Sequence, residues 1–190
     1  MDEYSTVAET FARAQMTLLQ EWPHLEARLS VQQDVLRSGT FLVESEETRA
    51  KCRAPNAKGQ RPCKGFAGEV SPRIEKKRVG QKQRVCLMTH IPKPSGSVTV
   101  TVSGDLLRRV SGVRIGIPDK QAKLPGGKVS ITVDVDGERA VTASLTGKHN
   151  VAELDFPHAG DRLTVRVSSE DGTNRPVCLM FSDAAWYNRE

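Results

Sequence analysis

The chain has 190 residues, with 37% hydrophobic and 27% charged side chains and a formal net charge of +5. That composition is globular, which excludes a disordered polymer, and no run approaches the roughly 18–20 apolar residues of a membrane-spanning helix. The opening MDEYSTVAETFARAQ lacks a basic stretch followed by an apolar one, so it does not read as a secretory signal, and the expected location is the cytoplasm or a particle assembled there.

The first expected element is a helix over 6–21. Thr6 and Glu9 make a capping box, and Val7, Phe11, Ala14 and Leu18 form one apolar stripe. Pro23 suits the first turn of a second helix, striped by Leu25, Leu29, Val35 and Leu36 and stopped at Gly39. Two short amphipathic helices cannot bury both stripes by themselves. Residues 1–40 therefore read as a helical hairpin with an assembly face of Phe11, Leu18, Leu25 and Leu29, or as a hairpin packed on the rest of the chain.

Residues 41–83 lose regular patterning, although Phe41–Val43 suits a short strand. Charge is concentrated here. Residues 1–50 carry four basic and nine acidic side chains, whereas 51–84 carry eleven basic and two acidic ones. Pro55, Pro62, Pro72, Gly59, Gly65, Gly68 and Gly80 break the segment, which reads as a basic arm or long ordered loop. Such a local excess of cations fits a nucleic acid or another polyanion, and equally a solvated loop or an arm against acidic helices. The candidate contacts are Lys51, Arg53, Lys58, Arg61, Lys64, Arg73, Lys76, Lys77 and Arg78. Phe66 is the arm's only aromatic residue, which weakens a stacking mode and leaves phosphate contact by charge.

Residues 84–190 alternate with period two. Val98, Val100 and Val102 alternate with Ser and Thr, as do Leu163, Val165 and Val167 with Thr164 and Arg166. Such strands bury one face and wet the other. Strands are expected over 85–91, 97–103, 111–117, 129–136, 139–145, 150–156, 162–168 and 176–182, with Asp136-Gly137 as a tight hairpin turn. Eight antiparallel strands make a two-sheet jelly roll, so the fold class is mainly β, preceded by the helical hairpin and the basic arm. The tetrapeptide Val-Cys-Leu-Met occurs at 85–88 and at 177–180, in the first and last of these strands. First and last strands of a jelly roll lie side by side, which makes Cys86 and Cys178 neighbours, as buried thiols or as a cross-strand disulfide. Without an export signal, thiols are expected at all four cysteines, with a disulfide-closed loop the alternative for Cys52 and Cys63.

No P-loop, GxSxG, HExxH or strand-borne GxGxxG is present. His24, His90, His149 and His158 are scattered, although His149 and His158 flank one expected strand beside Asp155 and Asp161. Asp134, Asp136 and Glu138 imitate part of a calcium loop, but Leu145 stands where the bidentate Glu belongs. No catalytic residue, metal or cofactor is assigned.

One resemblance is carried by the last sixty residues. Val133-Asp-Val-Asp-Gly137 and Leu163-Thr-Val-Arg-Val167 match a V-x-V-D-G hairpin and an L-T-V-x-V strand, and Asp183-Ala-Ala-Trp186 approaches a closing D-x-A-x-W, one residue shorter. This pattern resembles the bacterial NPCBM-type modules, which are galactose-binding-like jelly rolls attached to exported carbohydrate-active enzymes. The resemblance implies a carbohydrate-binding sandwich in which Asp183 and Trp186 close the last strand and stand as possible ligand contacts. The reading as a whole is a non-catalytic binding or assembly module, docking on a ligand or protein surface in a larger complex or viral particle. A nucleic-acid-binding arm and a carbohydrate-binding module are its alternatives.

Overall fold

A computed structural model describes residues 31–93, 95–124, 127–156, 160–169 and 175–183. The expected helix over 6–21, the assembly-face residues Phe11, Leu18, Leu25 and Leu29, and Trp186 lie outside the described residues. Asp183 ends the last strand. Among the described residues no helix is long and apolar enough to cross a membrane.

Residues 31–38 are helical (α1) and end at Gly39, whose N–H donates to the Val35 carbonyl at 2.9 Å. Eleven strands follow: β1 (Thr40–Glu44), β2 (Arg49–Lys51), β3 (Arg73–Val79), β4 (Lys82–His90), β5 (Ser97–Ser103), β6 (Val110–Gly116), β7 (Val129–Val135), β8 (Glu138–Leu145), β9 (Val151–Asp155), β10 (Arg162–Ser169) and β11 (Pro176–Asp183). Two one-turn helices, α2 (Asp105–Arg108) and α3 (Asp119–Ala122), flank β6. The strands form two antiparallel sheets in the orders β2-β1-β5-β10-β7-β8 and β3-β4-β11-β6-β9.

All eight strands expected after residue 84 are present, and the physical reason is their alternation. Val98, Val100, Val102, Leu163, Val165 and Val167 turn inward and are fully or almost fully buried, while Thr99, Thr101, Thr164 and Arg166 face out. At the β7–β8 turn Asp136 and Gly137 have φ of 52° and 93°, the left-handed pair that a two-residue hairpin requires. The Asp136 carboxylate also accepts the Asp161 and Arg162 N–H groups, tying that turn to the start of β10. Asp134 pairs with Arg139. The hairpin thus accounts for the apparent calcium loop.

Three expectations need correction. The sandwich has eleven strands and begins at Thr40, so the boundary expected at 84 cuts through it. Segment 41–83 is not a free arm, because β1, β2 and β3 sit in the two sheets. β3 reads RIEKKRV and gives no alternation because it is an edge strand with little of it buried. The cysteines are not thiols: Cys52–Cys63 and Cys86–Cys178 are disulfides, with Cα separations of 4.1 and 5.4 Å.

The repeated Val-Cys-Leu-Met segments do lie side by side, with Leu87 opposite Leu179 and Met88 opposite Cys178. Leu87 and Leu179 point into the main core. Cys86, Met88, Cys178 and Met180 form a second, smaller cluster with Val79 on the opposite face of the sheet. That face is covered because the β3–β4 hairpin leaves the sheet. β4 pairs with β11 only from His90 to Leu87, yet pairs with β3 as far as Lys82. Its distal half lies over the β6–β9 end instead. A Cβ at Gly116 would meet Val79 Cγ1 at 2.3 Å, so only glycine fits beneath. The Gly80 and Gln81 N–H groups donate to the Asp119 carboxylate at 2.9 and 3.0 Å. Cys86–Cys178 staples the fold-over. Four apolar residues in a row are what a strand buried on both faces requires.

The departure of β4 would orphan backbone groups of β11, which is costly in a buried strand. Gln32 of α1 fills the gap. Its side-chain amide donates to the Phe181 carbonyl at 2.7 Å and accepts the Phe181 N–H at 3.2 Å, taking the place of a missing rung. Val31, Val35 and Leu36 of the same helix enter the main core.

A candidate anion-binding flank

The segment between β2 and β3 runs from the edge of one sheet to the edge of the other and forms one flank of the sandwich. Its loop is rigidly held. The Cys52 N–H donates to the Phe41 carbonyl, the Arg53 N–H to Pro62 and the Arg61 N–H to Pro72, at 2.8, 2.9 and 2.9 Å. At the tip Asn56 Oδ1 accepts the N–H groups of Lys58 and Gln60, a local turn that asparagine favours. Gln60 bridges to Arg73, and Cys52–Cys63 closes the loop at its base.

The nine basic residues singled out in the sequence divide into two groups. Lys51, Arg53, Lys58, Lys64 and Lys76 are exposed, and none forms an ion pair among the described residues. The other four are engaged. Arg73 and Lys77 both bind Glu75, the lysine at 2.5 Å. Arg78 reaches Asp119 at 3.6 Å. Burial alone would raise the Glu75 carboxyl, but the hydrogen bonds and charges of Lys77 and Arg73 outweigh it, and the group sits below the ordinary carboxylate range.

Arg61 points inward and is 7% exposed, so it is not offered to a ligand. Its Nη1 donates to the carbonyls of Leu36 (2.7 Å), Gly39 (2.8 Å) and Arg37 (3.3 Å), and its Nε donates to Arg53 (2.9 Å). The first three are end-of-helix carbonyls that have no partner within α1. A cation here also meets the negative end of the helix dipole. The guanidinium carbon lies 4.9 Å from the Phe41 ring centroid. Burial pushes its pKa down from the ordinary arginine value, a cost set against these contacts. Arg61 therefore locks the loop onto α1 and holds its five exposed neighbours in place.

Sequence reasoning missed Arg37. It is exposed in the last turn of α1, next to the carbonyls that Arg61 caps, and joins the same flank. A basic residue just before a helix-ending glycine was the signal available. Carboxylates on the flank are fewer than its cations. Glu75 is engaged, Glu44 binds Arg49 at 3.1 Å, Glu46 and Glu47 lie at the other end of β2, and Glu69 stands exposed in the turn at 68–70 before β3. Phe66 is half-buried against the core and offers no stacking platform. The arrangement holds five to six cations at fixed spacing on a rigid support. Asp155 and Asp161 do not join His149 in a metal site: among the described residues no group of three or more His, Cys, Asp or Glu side chains is placed to hold a metal.

No family model and no curated protein matches the chain. Among solved structures the chain is similar to the CBM51 of Clostridium perfringens GH95 in complex with methyl-galactose, at 16% identity and a TM-score of 0.38, over 58% of this chain and 77% of that one. It is similar to the CBM51-2 and INT domains of Clostridium perfringens ZmpB, at 12% identity and a TM-score of 0.45, over 78% of this chain and 38% of that one. It is also similar to Caldicellulosiruptor saccharolyticus CBM27-1 in complex with mannohexaose, at 10% identity and a TM-score of 0.44, over 62% of this chain and 85% of that one. Carbohydrate-binding modules recur among these structures.

Proposed function

We propose that the protein is a non-catalytic binding module whose ligand is an acidic polysaccharide, held by the basic flank between β2 and β3. One observation carries the reading: Arg53, Lys58 and Lys64 are exposed on a loop fixed by a disulfide and by Arg61, Lys51 at the end of β2 and Lys76 on β3 are exposed as well, and none of the five has an ion-pair partner among the described residues. Fixed cations pay little ordering entropy on meeting a polyanion, so they favour binding more than cations on a mobile arm. Two further features support a polysaccharide over a nucleic acid. Single-strand recognition uses several stacking aromatics, and this flank presents none. Two disulfides suit an oxidising compartment better than the cytoplasm expected from the sequence. The sugars named with the similar modules, methyl-galactose and mannohexaose, are neutral. The present reading rests on charge instead.

The test is titration of the intact chain with chondroitin sulfate, neutral mannan and a duplex DNA across a salt series. Chondroitin sulfate should bind, mannan should not, and log affinity should fall linearly with log salt. Replacing the five residues by Gln should weaken binding on the order of fifty-fold, taking roughly 0.5 kcal/mol per exposed charge pair. Tighter binding to the duplex would replace this reading with nucleic-acid recognition. Binding unchanged in the five-residue variant would refute the flank as the site.

A further inference from the structure

A second basic surface lies at the end of the sandwich where β6 runs into α3 and β8 into β9. Leu124 there is 61% exposed, the only large hydrophobic residue so exposed among those described. Around it stand Lys120, Lys123, Lys128 and Lys148, all exposed and none in an ion pair among the described residues. These residues share one tip. The Gly147 backbone abuts α3 so closely that an added Cβ would meet the Ala122 carbonyl at 2.5 Å. Lys128 immediately precedes Val129, which pairs with Leu145 just before that same loop.

The tip is firm rather than loose. The Pro118 carbonyl accepts the Gln121 and Ala122 N–H groups at 2.9 Å, and the Leu124 N–H donates to Gln121 at 3.1 Å. Ile117 and Asn150 clasp the two loops together, the Ile117 N–H donating to the Asn150 carbonyl and Asn150 Nδ2 returning to the Ile117 carbonyl, at 2.8 and 2.9 Å. The carboxylate of these loops, Asp119, is already committed to Gly80, Gln81, Asn150 and Arg78. It does not offset the lysines.

We propose that this tip docks on an anionic lipid bilayer, with Leu124 entering the acyl boundary and the four lysines meeting lipid phosphates. Charge complementarity alone would fit any polyanion. The exposed leucine on the same loops as the lysines selects a bilayer, because a polysaccharide gives a leucine side chain nothing to bury against, whereas the interface does. The geometry is that of an interfacial anchor and not of a span. It shares no residue with the flank, whose cations run from Lys51 of β2 to Lys76 of β3.

Sedimentation with vesicles of phosphatidylcholine and phosphatidylglycerol, 70:30 by mole, tests it against pure phosphatidylcholine; both proportions are choices of about the usual anionic content. The intact chain should sediment with the first and not the second. Replacing Lys120, Lys123, Lys128 and Lys148 by Gln should weaken partitioning more than about a hundred-fold, at roughly five-fold per lysine. Leu124→Ser should weaken it roughly ten-fold, and Leu124→Trp should bind and give a blue-shifted emission. The flank variant should keep vesicle binding, and the tip variants should keep polysaccharide binding. Failure to sediment with anionic vesicles at low salt overturns the proposal, as does an affinity indifferent to Leu124→Ser.

Discussion

Replacing Arg61 by Met removes the guanidinium while keeping much of the apolar stem. Four N–H···O=C contacts are lost, at 2.7, 2.8, 2.9 and 3.3 Å, together with the contact over Phe41. A hydrogen bond from a charged donor is worth about 1.5–3 kcal/mol. Four on one side chain do not add, because they share a single ordering cost and a single desolvation cost. A better guide is the cost of leaving buried carbonyls without a donor, about 1–3 kcal/mol each where water cannot reach, which for this cluster is about 3–5 kcal/mol. Set against a typical stability of about 5–15 kcal/mol, that is a large fraction. At about 2–4 °C per kcal/mol for a chain of this size, the melting temperature should fall by roughly 10 °C or more. Arg61→Lys should recover part of the loss, since a lysine keeps the charge but cannot span the Leu36, Gly39 and Arg53 carbonyls together. The assay is urea unfolding of the oxidised protein followed by far-ultraviolet circular dichroism. An Arg61→Met protein within about 1 kcal/mol of the parent would refute the cap. Where Arg61→Lys is folded, the proposed function predicts a modest loss of polysaccharide affinity, because the loop is held less firmly although Arg61 itself does not face the ligand.

Gln32→Met leaves the buried Phe181 N–H and C=O without partners. It should destabilise by about 2–4 kcal/mol and accelerate hydrogen exchange at the Phe181 amide, and unaltered exchange would show that the rung is not needed. Reduction of Cys86–Cys178, which closes a span of 92 residues, should destabilise more than reduction of Cys52–Cys63, which closes 11. On a chain-entropy basis the two are worth at most about 4.6 and about 3 kcal/mol, and paired Cys→Ser variants in urea would reveal the reverse order if loop length does not govern. Glu75 carries a lowered pKa in the fold, so its ion pairs contribute stability above the unfolded carboxylate value of roughly 4 and lose it as pH falls through the lower folded value. The stability gap between the parent and Glu75→Gln should therefore be constant from neutral pH down to about 5 and shrink below about 4. A gap that persists in acid would mean that the Arg73–Glu75–Lys77 contacts do not act through charge.

Legibility in the sequence followed burial. Most strands from β4 onward could be placed to within three residues because they bury one face, which writes the fold into a period of two, while β4 and β11, buried on both faces, show as apolar runs. The Asp136-Gly137 turn was equally plain, since few dipeptides tolerate two left-handed residues. β2 and β3 were not legible: three residues of RAK and seven of RIEKKRV lie at sheet edges, where side-chain chemistry is free to follow the solvent. The nine candidate cations were found by composition, but composition carries no direction. Arg61 turns inward, Arg73 and Lys77 turn to Glu75, Arg78 reaches Asp119, and five face outward.

The sequence by itself determined that eight strands of a β-sandwich run from one copy of Val-Cys-Leu-Met to the other, and that the two copies meet. Alternation and tight-turn residues are local properties, and they hold whatever surrounds them. Only the tertiary structure decided that the hairpin bearing the first copy folds back over the sheet, that Gln32 replaces the rung it vacates, and that Arg61 is a helix cap. Each of these depends on a partner 22 to 149 residues away, so no local pattern carries it. The same holds for the two basic surfaces. Which of their lysines and arginines face outward and which are spent on Glu75 or Asp119 is set by the packing of distant strands.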